Sequence, residues 1–144
     1  MNIAVASDHR GFAKKQKLII CLQQREYQVI DEGCHSTERC DYPYYAQIVA
    51  QKVRDKKIDV GILLCGSGVG MSIAANRFRN VYAALVWNQE IARLSKEHDN
   101  ANILVIPADF VTDVDILVIV QAWLDAQFLK GRYQERLIQI DSQM

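Results

Sequence analysis

The chain predicts a doubly wound α/β fold, a three-layer αβα sandwich around a five-stranded parallel sheet, and three observations carry this. Short apolar strand signals alternate with helical ones from end to end. The strands are nearly continuous in apolar character, as expected of a parallel sheet covered on both faces. At 144 residues the chain suits one domain, residues 1–144, with no internal repeat, linker or low-complexity segment.

Residues 2–7 form a short apolar strand, and 11–25 a helix with Phe12, Leu18, Ile19 and Leu22 on one side. A second strand at 27–31 leads into a polar loop at 32–41. Pro43 then opens a helix in the first turn, where its missing N–H costs nothing, and Tyr45, Ile48, Val49 and Val53 face inward. The third strand is 59–64, followed by a helix over 70–76 and a fourth strand at 81–87. Asn88 is placed to cap a helix reaching His98, and the fifth strand is 101–106. Thr112 or Asp113 caps a long helix to 129, and 131–140 is a terminal helix or arm.

Composition excludes several classes. With 17 basic and 17 acidic residues the net charge is zero, which argues against a dedicated nucleic-acid binder. Lys14, Lys15 and Lys17, like Lys56 and Lys57, read as solvated faces. The apolar run Ile116 to Val120 is far short of the ~20 residues of a membrane helix. The first strand meets Asp8, His9 and Arg10 at once, unlike a signal peptide, so a cytoplasmic protein is expected. In that compartment the four cysteines stay reduced. Cys21 reads as core. Cys34 and Cys40 flank His35, but the spacing fits no standard zinc pattern and a fourth ligand is lacking, so no metal is expected.

Chemistry concentrates where the third strand runs into Cys65 and the loop Gly66-Ser67-Gly68-Val69-Gly70. Glycines there let backbone N–H groups approach an anion, and the following helix adds its positive end. A thiol at that rim is expected to ionise more easily than its reference pKa of about 8.5. The plainer reading is a tight turn with a buried cysteine. The loop lacks the Gly-Lys-Ser/Thr end of a P-loop and the position and spacing of a dinucleotide fingerprint. A nucleophile elbow would need glycine where Cys65 stands.

Ligands of such folds sit beyond the carboxyl ends of the strands. Ser7, Asp8 and His9 follow strand one, and the Cys65 loop follows strand three, so both open on that edge. His98 precedes strand five, which puts it at the opposite edge. Either it favours a helix C-terminus as a cation, or a second subunit supplies it. Helix 114–129, with Ile116, Val118, Ile119, Val120 and Trp123, has apolar surface to spare for such a contact. Arg132 and Arg136 lie four apart on one helical face, either as a phosphate fork or as an exposed face paired with Glu135.

Taken together, the chain resembles the ribose-5-phosphate isomerase B family, which includes galactose-6-phosphate isomerase subunits. The resemblance rests on Ser-Asp-His-Arg-Gly at 7–11, Asp-Tyr-Pro at 41–43, Cys-Gly-Ser-Gly-Val-Gly at 65–70, Ser-Ile-Ala-Ala-Asn at 72–76, His98 and Gly-Arg-Tyr-Gln-Glu-Arg at 131–136. It implies a Rossmann-like fold, no metal or organic cofactor, and a homodimer or homotetramer with active sites between subunits. The implied reaction is aldose–ketose isomerisation of a phosphorylated sugar through a cis-enediolate. On that reading Cys65 is the base, since Met71 and Ser72 stand where related enzymes use Glu. Gly66, Ser67, Gly68, Val69 and Gly70 bind the enediolate oxygen. His98 opens the sugar ring, and Asp8 accepts hydrogen bonds from hydroxyls. His9, Arg132 and Arg136 hold the phosphate, and Tyr42 lines the site.

Asp99 and Asp109, also expected at the substrate, depart from the family pattern of Asn after His98 and Arg after strand five. A carboxylate near a phosphate is repulsive by about 1–3 kcal/mol at an intermediate dielectric. Either Asp109 points away or the charged end is held differently. Three functions therefore stand: a ribose 5-phosphate isomerase, an isomerase of another sugar phosphate such as a hexose 6-phosphate, or a non-catalytic sugar-phosphate binder.

Overall fold

The computed structural model describes residues 1–143. Five parallel strands, β1 (Asn2–Ser7), β2 (Gln28–Asp31), β3 (Val60–Cys65), β4 (Ala83–Leu85) and β5 (Ile103–Pro107), lie in the order β2-β1-β3-β5-β4. The helices are α1 (Phe12–Gln24), α2 (Tyr42–Arg54), α3 (Val69–Ala75), α4 (Gln89–Asp99), α5 (Asp113–Asp125) and α6 (Arg132–Asp141). Helices α1, α4 and α5 cover one face of the sheet, and α2 and α3 the other. This is the expected three-layer sandwich.

Alternation along the strands divides the core in two. Ile3, Val5, Ile62, Leu64, Leu104 and Ile106 face α1 and α5. Ala4, Ala6, Leu63, Cys65, Ile103 and Val105 face α2 and α3. The second face is lined by smaller residues, and Gly61 lets Val49 of α2 close in: a Cβ there would sit 2.4 Å from Val49 Cγ1. Cys65 is thus the last inward residue of β3 on the α2/α3 side.

The ends of elements differ from the sequence reading where tertiary hydrogen bonds decide. Helix α5 starts at the Thr112 cap, whose Oγ1 accepts the Asp115 N–H at 3.2 Å, but it stops at Asp125 and not at 129. Beyond it the chain is extended and the Leu129 N–H bonds to Glu97 O at 3.0 Å, which ties this segment to the end of α4. Strand β4 is only three residues long, because the side chains of Asn76 and Asn102 take backbone groups beside it: Asn76 Oδ1 accepts from Ala83 N and Asn102 Oδ1 from Tyr82 N, both at 2.8 Å. Asn88 caps α4 as expected. Residues 132–141 form a helix, not an arm.

Strand order reverses direction at β1 and β3. The register Ser7↔Leu64 sets the loops after these two strands side by side at the carboxyl edge. Among the described residues no helix is long and apolar enough to cross a membrane.

Candidate active site

At the carboxyl edge the turn after β1 is wound around Asp8. The Asp8 N–H bonds to Leu64 O, and Oδ1 accepts the N–H groups of Arg10 and Gly11 at 2.9 and 3.1 Å. One oxygen of this buried carboxylate is thereby used for the turn, and Oδ2 accepts no hydrogen bond among the described residues. Gly11 is required here, since a Cβ would lie 2.7 Å from Leu64 O. His9 turns toward the β2–α2 loop, where its Nδ1 lies 3.2 Å from Cys40 N. The same nitrogen lies 3.3 Å from Cys40 O, so both backbone groups of Cys40 hold the ring. The Cys40 thiol beside it is pushed up to about 11 by burial and by Cys34.

Cys65 is 5% exposed, and the N–H groups of Gly68 and Met71 are directed at its sulfur. These donors favour the thiolate, and the Arg10 charge helps, but burial outweighs them and Asp8 adds to it. The thiol is therefore raised, contrary to the eased ionisation expected from the loop alone. The nest is also divided differently from expectation. Gly68 and Met71 serve the sulfur, while the Val69 N–H, expected at the substrate, bonds to Ser67 Oγ at 3.3 Å. The Gly70 N–H has no acceptor among the described residues. Gly68 caps α3 in the left-handed region, φ 78°, and its missing side chain makes room for Leu85. The ring of Tyr42 lies over Gly70, where a Cβ would be 2.3 Å from its Cζ, so Tyr42 does roof the loop.

Asp109 occupies a single 3-10 turn after β5, and its N–H donates to Gly66 O at 3.1 Å. Its carboxylate pairs with the Arg10 guanidinium. That guanidinium lies on Gly66, in the space a side chain would take (Cζ 2.4 Å from an ideal Cβ). From the sequence, Asp109 is expected near the charged end of the substrate, either pointing away from it or with that end held differently, and Arg10 has no assigned task. Nothing in the local pattern signals a pair whose members are 99 residues apart.

The remaining candidates assemble at the other edge. The His98 and Tyr133 rings stack at 4.3 Å, 5° from parallel. Arg132 and Arg136 lie 5.1 and 5.8 Å from the centroid of the Tyr133 ring. Glu135 is not their partner: among the described residues neither arginine makes an ion pair. Exposed Asp99 follows His98 at the end of α4. Tyr133, between the two arginines, is a site residue that sequence reasoning missed. Strands of this length hold the two edges about 20 Å apart, so one chain does not bring His98 to Cys65. The groove of about 390 Å³ between α1 and α5 contains none of these residues.

A sequence model described as Ribose/Galactose Isomerase matches residues 3–140. The chain belongs to this ribose/galactose isomerase family. Among family relatives, ribose-5-phosphate isomerase B of Escherichia coli K12 is 43% identical over 135 residues, covering 94% of this chain and 91% of the relative. The ribose 5-phosphate isomerase of Thermotoga maritima superposes with a TM-score of 0.96 at 44% identity, over 98% of this chain and 97% of that one. Ribose-5-phosphate isomerase B of Mycoplasma genitalium, solved with bound ribulose-5-phosphate, gives 0.95 at 41% identity, over 99% and 95%.

Proposed function

We propose that the chain interconverts ribose 5-phosphate and ribulose 5-phosphate, as a homodimer or homotetramer whose sites lie between subunits. The observation that carries this reading is the division of the candidate residues between two edges. Base, hydroxyl acceptor and backbone donors stand at one edge, and a histidine with two unpaired arginines at the other. Two copies related by a twofold axis make each edge complete the other. Exposed apolar residues beside the Cys65 loop, Val69 and Ile73 on α3 and Phe110 after β5, support a covered surface there. The bound ribulose 5-phosphate of the Mycoplasma relative supports the substrate.

In this mechanism His98 of one copy protonates the ring oxygen and opens the sugar. The Cys65 thiolate of the other removes the proton from C2, and the electron pair moves toward the carbonyl at C1 to form the enediolate. The proton of the C2 hydroxyl passes to O1 within the cis-enediolate, and Cys65 then returns its proton to C1, which leaves the ketone at C2 and the hydroxyl at C1. The Gly70 N–H and the Ser67 hydroxyl bind the enediolate oxygen, Asp8 Oδ2 accepts from a sugar hydroxyl, and His9 with Arg132 and Arg136 of the second copy holds the phosphate. The raised thiol fits this arrangement, because the cations of a docked second copy would favour the thiolate that burial opposes. Reading Asp109 as neutralised by Arg10 removes the main reason to prefer a hexose phosphate. Phosphorylated sugars are charged and retained inside cells, so a cytoplasmic location belongs to the same reading.

Coupled turnover of ribose 5-phosphate by wild type and Cys65→Ala tests it. Loss of about 10²–10⁴-fold in kcat is expected for removal of the base. Equal rates would remove Cys65 from that role, and ribose 5-phosphate that is bound by wild type but never converted to ribulose 5-phosphate would leave only a binding protein.

A further inference from the structure

We propose that Arg10 is a substrate-phosphate ligand of this site and that Asp109 is its holder, so that the pair sets affinity for the charged end of the sugar. This deepens the isomerase reading and rests on it for the identity of the sugar, though not for the recognition of phosphate.

The guanidinium is laid across Gly66, the residue after Cys65, where the loops after β1 and β3 stand side by side. Glycine at 66 makes that approach possible, since any side chain there would displace Arg10. Two further contacts hold the arrangement. The Arg10 backbone N–H is fixed on Asp8 Oδ1, and the Asp109 N–H on Gly66 O ties the β5 turn to the same loop. Among the described residues, Asp109 is the sole hydrogen-bond acceptor for the Arg10 side chain, through Nη2. The other donors of the fork, Nη1 and Nε beside Gly66, make no hydrogen bond among the described residues, on a side chain that is 55% exposed. Planar, bidentate donation of this kind suits a phosphate. The Arg10–Asp109 pair is exposed enough to be exchanged at small cost, and a dianion competes with Asp109 for the same guanidinium. Asp109 therefore tempers phosphate affinity while keeping the cation in place.

The test titrates inorganic phosphate into wild type, Arg10→Ala, Arg10→Lys, Asp109→Asn and the double variant by calorimetry, and measures KM and kcat for ribose 5-phosphate. Arg10→Ala is expected to weaken phosphate binding about tenfold and to raise KM by the same factor, with Arg10→Lys between it and wild type. Asp109→Asn is expected to tighten phosphate binding by about threefold, because the freed guanidinium is no longer shared, and to give no gain when Arg10 is absent. Unchanged phosphate affinity in Arg10→Ala overturns the proposal. So does a shift of the kcat–pH profile at constant KM, which would make Arg10 a positioning group for the Cys65 thiol. If Arg10→Ala fails to fold, Asp109→Asn decides alone, and unchanged or weaker phosphate binding counts against the proposal. Wild type that binds phosphate in the expected pattern without turning over ribose 5-phosphate would sink the isomerase reading and leave this one standing.

Discussion

The carboxyl and amino edges of the sheet solve the placement of functional groups in opposite ways. At the carboxyl edge Asp8 and Cys65 are buried and held by backbone. Asp8 is wound into its own turn, Cys65 takes two N–H groups of α3, and glycines at 11, 66, 68 and 70 let neighbours pack where side chains would stand. At the amino edge the arginines are exposed, His98 is half-buried, and one aromatic ring holds them: Tyr133 stacks on His98 and carries the two arginines. A rigid, desolvated edge suits proton abstraction, where the reacting atom must be placed to a fraction of an ångström. Two exposed arginines without an ion pair among the described residues suit a partner that arrives with an anion between them.

The largest test of that comparison mixes two inactive proteins. Cys65→Ala and His98→Ala are each expected to lose about 10²–10⁴-fold in kcat. Dissociated and reassociated together, they should recover about a quarter of wild-type activity, since half of the dimers are hybrids with one intact site of two. No recovery would mean that both groups serve one chain's site. Next in size, Arg136→Ala should raise KM for ribose 5-phosphate about tenfold or more, while Glu135→Ala leaves it within about twofold, because Glu135 forms no ion pair with either arginine.

The two edges each hold a glycine with positive φ, and these should respond unequally. Gly68, φ 78°, has Leu85 Cδ1 2.4 Å from where a Cβ would go, whereas Gly131, φ 59°, has nothing within 4 Å. Denaturant unfolding should show Gly68→Ala destabilised by about 2–4 kcal/mol, from backbone strain plus overpacking, and Gly131→Ala by about 1–2 kcal/mol, from strain alone. The smallest effect is one of pH. The Cys40 thiol is raised from 9.0 to about 11 in the folded chain, so the unfolded chain ionises first. Stability from this group is complete below pH 9 and is lost as pH rises from 9 to 11. Cys40→Ser should flatten that alkaline decline in unfolding measurements.

Much of this was legible in the chain. The helix starts at Asn88 and Thr112 follow from short polar side chains that accept a nearby N–H, and the strands from runs of apolar residues. The end of α5 was not legible, because Leu129 leaves the helical path for a carbonyl of α4. The Cys65 loop was recognisable as a site, but its electrostatics were not. A local pattern shows a helix N-terminus near a thiol and cannot show that β1, α2 and α3 close around it and raise it.

By itself, then, the sequence determined the alternation of strands and helices and which loops share the carboxyl edge, because in a parallel sheet chain direction alone decides this. That was enough to set Asp8, His9 and the Cys65 loop on one edge and His98 on the other. Tertiary structure decided what those loops do to one another. Only the strand order brings β5 beside β3, and with it Asp109 onto Arg10 and Gly66. Only the docking of α6 against α4 stacks Tyr133 on His98. Both are contacts between segments distant in the chain, set by packing and not by any preference that a residue and its neighbours express.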